Sequence, residues 1–178
     1  MRIIAGAAKG RKLDTPKTGT RPMTGRARES IFSILSARFD GTTVLDLYAG
    51  SGSLGLESLS RGATHAVFVE HDRDAETILR RNVDRVGLGG LVHLADVASF
   101  LGERSGVYNV VFVDPPYADD DQQVRDVLEL IEPVLDSRGI VVVHRQARSE
   151  TTPPQFLRTI DERRYGDAVV TVMERVTE

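Results

Sequence analysis

The sequence predicts an α/β protein built on a mainly parallel β-sheet with helices on both faces. Three observations carry this. After Gly41, short apolar runs alternate with amphipathic segments, the pattern of strand–helix–strand units. The first run ends in a glycine-rich turn, Gly50-Ser51-Gly52-Ser53-Leu54-Gly55, that opens a helix. Runs such as Ile140-Val141-Val142-Val143 are wholly apolar, as expected of strands covered on both sides.

Each element has its own signal. Residues 1–15 read as a small hairpin, with Arg2-Ile3-Ile4-Ala5 and Arg11-Lys12-Leu13 turned about Lys9-Gly10. Pro16, Gly19 and Pro22 make residues 16–23 a loop. A helix begins at Thr24, with Ala27, Ile31, Ile34 and Leu35 on one face. Arg26 and Arg28 in its first turn oppose the helix dipole, which prefers anions there, so a bound phosphate is expected beside them. Val44–Leu47 is the first sheet strand and residues 53–60 the helix after the glycine turn. His65–Glu70, Leu91–Leu94, Tyr108–Asp114 and Ile140–Val143 are further strands. Ile78, Leu79, Val83 and Val86 mark one intervening helix; Val124, Val127, Leu128, Ile131 and Leu135 mark another. The tail turns at Tyr165-Gly166-Asp167 into a closing hairpin ending in Val169–Val172.

Composition narrows the classes. At 178 residues the chain suits one core domain. It has no cysteine, which excludes disulfides and zinc–thiolate sites, and four scattered histidines, His65, His71, His93 and His144, without metal-ligand spacing. These histidines read as single core or surface residues, and no metal is expected. No apolar run is long enough to span a bilayer and no secretory signal opens the chain, so a soluble, cytoplasmic protein is expected.

The net charge of −3 is unevenly spread. Residues 1–38 hold nine Lys and Arg against Asp14 and Glu29, a charge of +7, which leaves −10 on the rest. A basic arm on an acidic body suits contact with a polyanion. The chain therefore divides into a basic extension, residues 1–22, and a body, residues 23–178. Arg2, Lys9, Arg11, Lys12 and Arg21 in the extension, with Arg26 and Arg28 beyond it, are candidate RNA ligands. Because the extension precedes the first sheet strand, its removal is expected to leave the rest folded.

Two motifs carry chemistry. Asp46 to Gly55 lies at the carboxyl end of the first strand, where open α/β sheets bind ligands. Gly50 and Gly52 permit close approach of a cofactor to the backbone, with Asp46, Tyr48 and Ala49 beside them. Glu70, ending the next strand, can hold ribose hydroxyls, and Asp96 can meet an adenine amine. The turn also satisfies the NAD pattern G-x-G-x-x-G. The acid Asp46 inside the strand, and the lack of any other pyrophosphate feature, favour S-adenosylmethionine (SAM) as cofactor. There is no P-loop and no nucleophile elbow.

The second motif, Asp114-Pro115-Pro116-Tyr117, follows another strand at the same edge. An exocyclic base amine is a poor nucleophile because its lone pair is delocalised into the ring. A carboxylate and a main-chain carbonyl, accepting its two N–H bonds, orient it for attack. The prolines stiffen the loop, and Tyr117 offers a ring for an extruded base to stack on. Together the motifs indicate transfer of a methyl group to a base amine.

The chain resembles the RsmD-type 16S rRNA guanine-N2 methyltransferases of bacteria nearly end to end. The likeness covers Arg2 to Gly6, Gly10 to Leu13, Thr20-Arg21-Pro22, Arg26 with Arg28-Glu29-Ser30, Asp46 to Gly55, Glu70, Asp114 to Tyr117 and Tyr165-Gly166-Asp167. The arginine-rich N-terminal set is what narrows it. The resemblance implies a Rossmann-like class I methyltransferase fold, with a seven-stranded sheet and an antiparallel last strand; a monomer is expected. It also implies as target a guanine of 16S rRNA, in an assembling small ribosomal subunit. Gly25 stands where the family usually carries an acid. Rival readings are an adenine or cytosine amino-methyltransferase of DNA or another RNA, a non-catalytic RNA-binding assembly factor, and an NAD-dependent oxidoreductase. No insertion is large enough for a DNA target-recognition domain.

Overall fold

The computed structural model describes residues 1–16, 23–36, 38–103 and 106–176. Seven strands form one sheet in the order β3-β2-β1-β4-β5-β7-β6. They are β1 (Thr43–Leu47), β2 (His65–Glu70), β3 (Leu91–Leu94), β4 (Tyr108–Val113), β5 (Leu135–Gln146), β6 (Leu157–Tyr165) and β7 (Ala168–Arg175). β1 to β5 are parallel, and β7 slots antiparallel between β5 and β6. The expected seven strands and antiparallel last strand are both present.

The helices are α1 (Gly25–Ile34), α2 (Ser53–Ser60), α3 (Arg73–Val86), α4 (Val97–Gly102) and α5 (Asp121–Leu130). Their ends follow local chemistry. Thr24, Asp72, Asp96 and Asp120 cap the starts of α1, α3, α4 and α5, each side chain accepting a backbone N–H three residues on. Gly87, left-handed at φ 64°, ends α3. Alternate strand residues point to opposite faces, giving two cores. Val44, Phe112 and Val142 face α1, α2 and α3, while Leu45, Val111 and Val143 face α4 and α5.

Three elements differ from the sequence reading. α4 is too short for its periodicity to register. The α5 pattern ends at Leu130, and Glu132–Val134 forms a 3-10 turn before Leu135 enters β5. β5 runs over Leu135–Gln146, longer at both ends than the expected Ile140–Val143. β6 and β7 form the expected hairpin about Tyr165-Gly166-Asp167, with β6 a charged edge strand on which Arg158 pairs across the ladder with Glu174.

The N-terminal segment folds back as the expected short hairpin: Arg2 bridges Lys12 antiparallel, the Ile3 N–H donates to the Arg11 carbonyl at 3.0 Å, and the Gly10 and Leu13 N–H groups donate to the Ile3 and Met1 carbonyls at 2.9 Å. It also packs against the body. Ile3, Ala8 and Leu13 are buried in the core with α1 and α2. The buried Glu57 carboxylate accepts the N–H groups of Ile4 and Ala5 at 2.7 and 3.0 Å. Asn82 of α3 bonds both the N–H and the carbonyl of Asp14, and also the carbonyl of Ser51 in the glycine turn. The proposed boundary at residue 22, and Arg21, lie outside the described residues.

Candidate active site

Strand register builds the site. Leu47 pairs with Val69 and Val113, and Val113 pairs with Val143. The next residues, Tyr48, Glu70, Asp114 and His144, therefore lie in one row along the carboxyl edge. A cavity of about 380 Å³ opens there. Tyr48, Ala49, Gly50, Ser51 and Ser53 line one side, Glu70, His71 and Asp72 a second, and Asp114 to Tyr117 a third. Met1, Thr15, Pro16 and Met23 close over it from the N-terminal segment.

The turn that shapes it is strained by design of its sequence. Tyr48 has φ 59°, the sole non-glycine in the left-handed region among the described residues. Gly50 follows at φ 54°, and its missing side chain leaves open space. Glu70 Oε2 accepts the Gly50 N–H at 2.8 Å and Oε1 accepts that of Asp72 at 2.8 Å. Burial, and then the charges of Asp119 and Asp96, push the Tyr48 hydroxyl up to about 12.

Three residues read from sequence as cofactor ligands have other positions. Asp46 is buried on the α2 side and accepts the Gly55 N–H at 2.9 Å. Gly52 at the helix start has no capping side chain, so Asp46 supplies the acceptor from the strand. Burial holds the Asp46 carboxyl well above the usual carboxylate range; the Gly55 N–H opposes that, and Asp114 and Glu70 add to it. Gly52 itself faces inward, where an added Cβ would stand 2.4 Å from Leu79. It is a packing glycine. Asp96 caps α4 through Ser99 N–H, a bond that lowers its pKa, and lies outside the cavity lining.

Asp114 is held by a partner that sequence reasoning missed. His144 Nδ1 stands 2.7 Å from Asp114 Oδ1, and His144 is buried. Its neighbour Arg145, also buried, donates to the Asp119 carbonyl at 2.9 Å and pairs with Asp121. β5 thus secures both ends of the loop after β4. The signal was positional: the edge rule that selects Glu70 and Asp114 selects the residues ending β5 as well.

The basic set divides. Lys9, Lys12 and Arg26 are exposed. Arg2 donates to the Gly10 carbonyl and Arg11 to those of Arg85 and Val86, closing the end of α3. Arg28 is buried and donates to the Arg2 carbonyl at 2.6 Å, and burial lowers its pKa. It clamps the N-terminal segment onto α1. That bond gives the first-turn Arg28 a partner within the protein.

Comparison with known proteins agrees with this architecture. The family model described as conserved hypothetical protein 95 matches residues 1–174. A Bacillus subtilis protein, YlbH, named provisionally as an rRNA methyltransferase, is 37% identical over 158 residues, covering 84% of this chain and 85% of that one. The ribosomal RNA small subunit methyltransferase D of Escherichia coli is 42% identical over 119 residues, 66% of this chain and 60% of that protein. The structure of Escherichia coli yhhF, described provisionally as a methyltransferase, superposes with a TM-score of 0.89 at 33% identity, over 98% of this chain and 97% of that one. The chain belongs to the conserved hypothetical protein 95 family, that of the RsmD-type methyltransferases which its motifs resemble.

Proposed function

We propose that the protein transfers a methyl group from SAM to the exocyclic N2 amine of a guanine in 16S rRNA of the small ribosomal subunit. One observation carries the cofactor reading. The cavity joining the glycine turn to Asp114–Tyr117 is lined by Glu70, Asp72 and Asp114, with no lysine or arginine among its described residues. Such a lining attracts a cation and repels a pyrophosphate, which favours SAM over NAD. Glu70 retains lone pairs for ribose hydroxyls, and Gly50 gives a ligand access to the backbone.

When bound, the cofactor supplies an electrophilic methyl on a sulfonium. The chain's task is then to position the amine in line with it. Asp114 accepts one amine N–H. The Pro116 carbonyl already accepts the Asp119 N–H at 3.0 Å, so the Pro115 carbonyl is assigned the second. Tyr117 at the cavity wall stacks on the extruded base. Methylation would leave the amine nitrogen one proton to lose, and Asp114, partly exposed, would pass that proton to solvent.

RNA as substrate is supported by the exposed basic residues Lys9, Lys12 and Arg26, set against an acidic body, and by the name of the Escherichia coli relative. The test is methyl transfer from labelled SAM to small subunits, protein-free 16S rRNA and DNA, with nucleosides identified by mass spectrometry. N2-methylguanosine from the ribosomal substrates is the expected product. Label found only on adenine or cytosine of DNA overturns the reading in favour of a DNA amino-methyltransferase.

A further inference from the structure

Beyond the cavity lining, a buried imidazole in contact with Asp114 has no place in this mechanism. His144, at the carboxyl end of β5, is 2% exposed. Its Nδ1 contacts Asp114 Oδ1 at 2.7 Å, while its Nε2 is buried without a hydrogen-bond partner among the described residues. Val143 pairs with Val113, so the residues after them lie side by side. Phe112 and Val142, two residues back, share one core, so Asp114 and His144 project to the same face. The contact is built by sheet register and does not depend on a flexible loop.

We infer that His144 is a positioning residue that locks Asp114 as a single-oxygen acceptor for the substrate amine. The inference rests on the assignment of Asp114 to that amine. A contact of 2.7 Å between an imidazole nitrogen and a carboxylate oxygen requires a shared proton. Three arrangements could supply it. In one, neutral His144 carries its proton on Nδ1 and donates to ionised Asp114, which leaves only a lone pair unpaired on Nε2. In the other two, either Asp114 is protonated and donates to Nδ1 or His144 is an imidazolium donating to ionised Asp114, and in both Nε2 holds a buried N–H with no acceptor. An unpaired buried N–H is costlier than an unpaired lone pair, since backbone and side-chain donors are almost always satisfied. The Nδ1–H form is therefore the resting tautomer.

This form has two consequences for catalysis. Rotation of Asp114 about its side-chain bonds is stopped, because Oδ1 is committed to an immobile ring. Oδ2 is then the oxygen that meets the amine, and it meets it as an anion. A carboxyl protonated on Oδ1 would still offer Oδ2 as an acceptor, but an uncharged and weaker one. Arg145 reinforces the lock from the opposite face of β5 by holding the Asp119 carbonyl, so that the whole Asp114–Asp119 loop is pinned to one strand.

Two variants and one direct observation test this. His144→Asn places an amide N–H where Nδ1 stood, whereas His144→Leu removes the donor and keeps the bulk. With small ribosomal subunits as substrate, His144→Leu is expected to lower kcat about ten- to a hundred-fold, the scale of one charge-assisted hydrogen bond. Its affinity for S-adenosylhomocysteine should stay within about two-fold, and His144→Asn should recover most of kcat. Nitrogen-15 NMR of histidine-labelled wild-type protein reads the tautomer without substrate or turnover, so it stands even if the leucine variant fails to fold. A proton on Nδ1, with a downfield signal that moves in Asp114→Asn, is expected. A proton on Nε2 alone, or a leucine variant turning over at the wild-type rate, overturns the inference. Wild-type protein that methylates none of the ribosomal substrates instead overturns the functional reading on which it rests.

Discussion

Glu70 and Gly50, twenty residues apart, meet across the carboxyl edge of the sheet, where the Gly50 N–H donates to Glu70 Oε2 at 2.8 Å. The same carboxylate holds the Asp72 N–H, so one side chain sets the shape of two loops around the cavity. Ribose hydroxyls would use its remaining lone pairs. Glu70→Ala is accordingly expected to weaken SAM binding by about 1.5–3 kcal/mol, roughly ten- to a hundred-fold. Calorimetry measures this directly. Unchanged affinity in a folded variant places the ribose elsewhere.

Asp114 and Tyr117 separate chemistry from cofactor binding. Asp114→Ala should lose most turnover and keep SAM affinity. Tyr117→Phe should be mild and Tyr117→Ala severe, because stacking needs the ring and not the hydroxyl. Single-turnover assays beside calorimetry distinguish these effects, and wild-type turnover in Asp114→Ala removes it from the amine.

The N-terminal segment is expected to be needed for folding, against the expectation from charge alone. Leu13 is buried in the core between the segment and the body. Leu13→Ala should cost about 2–5 kcal/mol, the usual range for such a truncation. Removal of residues 1–13 should also uncover the Glu57 carboxylate and leave it without its two backbone donors. Urea unfolding of both variants is the measurement. A truncated chain as stable as the full one contradicts the packing described.

Asp46 links pH to stability. Its carboxyl is held well above the ordinary range by burial, so from about pH 4 upward the folded chain retains a proton that the unfolded chain has released. Its contribution is complete below about pH 4 and is lost as pH rises through the folded value. Asp46→Asn keeps an acceptor for Gly55 N–H and has no proton to lose. Relative to wild type, this variant should gain stability as pH rises from acid to neutral. A difference that stays constant with pH shows that Asp46 does not titrate abnormally.

RNA binding should depend on Lys9, Lys12 and Arg26, which are exposed, more than on Arg28, which is buried. Each phosphate contact removed should flatten the salt dependence of affinity by roughly 0.7–0.9 in logarithmic slope. Filter binding of 16S rRNA across a salt series compares a Lys9, Lys12 and Arg26 triple alanine variant with wild type. Identical slopes remove these residues from the interface.

The sequence by itself determined the strand–helix alternation apart from α4, the two motifs and the edge on which they lie. Those features are local. Glycine φ preferences and apolar runs act within a few neighbours, so the strand ends and the turn at Gly50 are legible without a fold. Tertiary structure decided which side chains meet. Leu47, Val69, Val113 and Val143 are paired only by register, and that pairing sets Glu70, Asp114 and His144 in one row. It also turned Asp46 and Gly52 away from the cavity, and drew Arg28 into the core as a clamp on residue 2. Charge counted along a chain does not record burial. Arg28, His144 and Arg145 find their partners on segments 26 to 30 residues away, and packing alone brings those segments together.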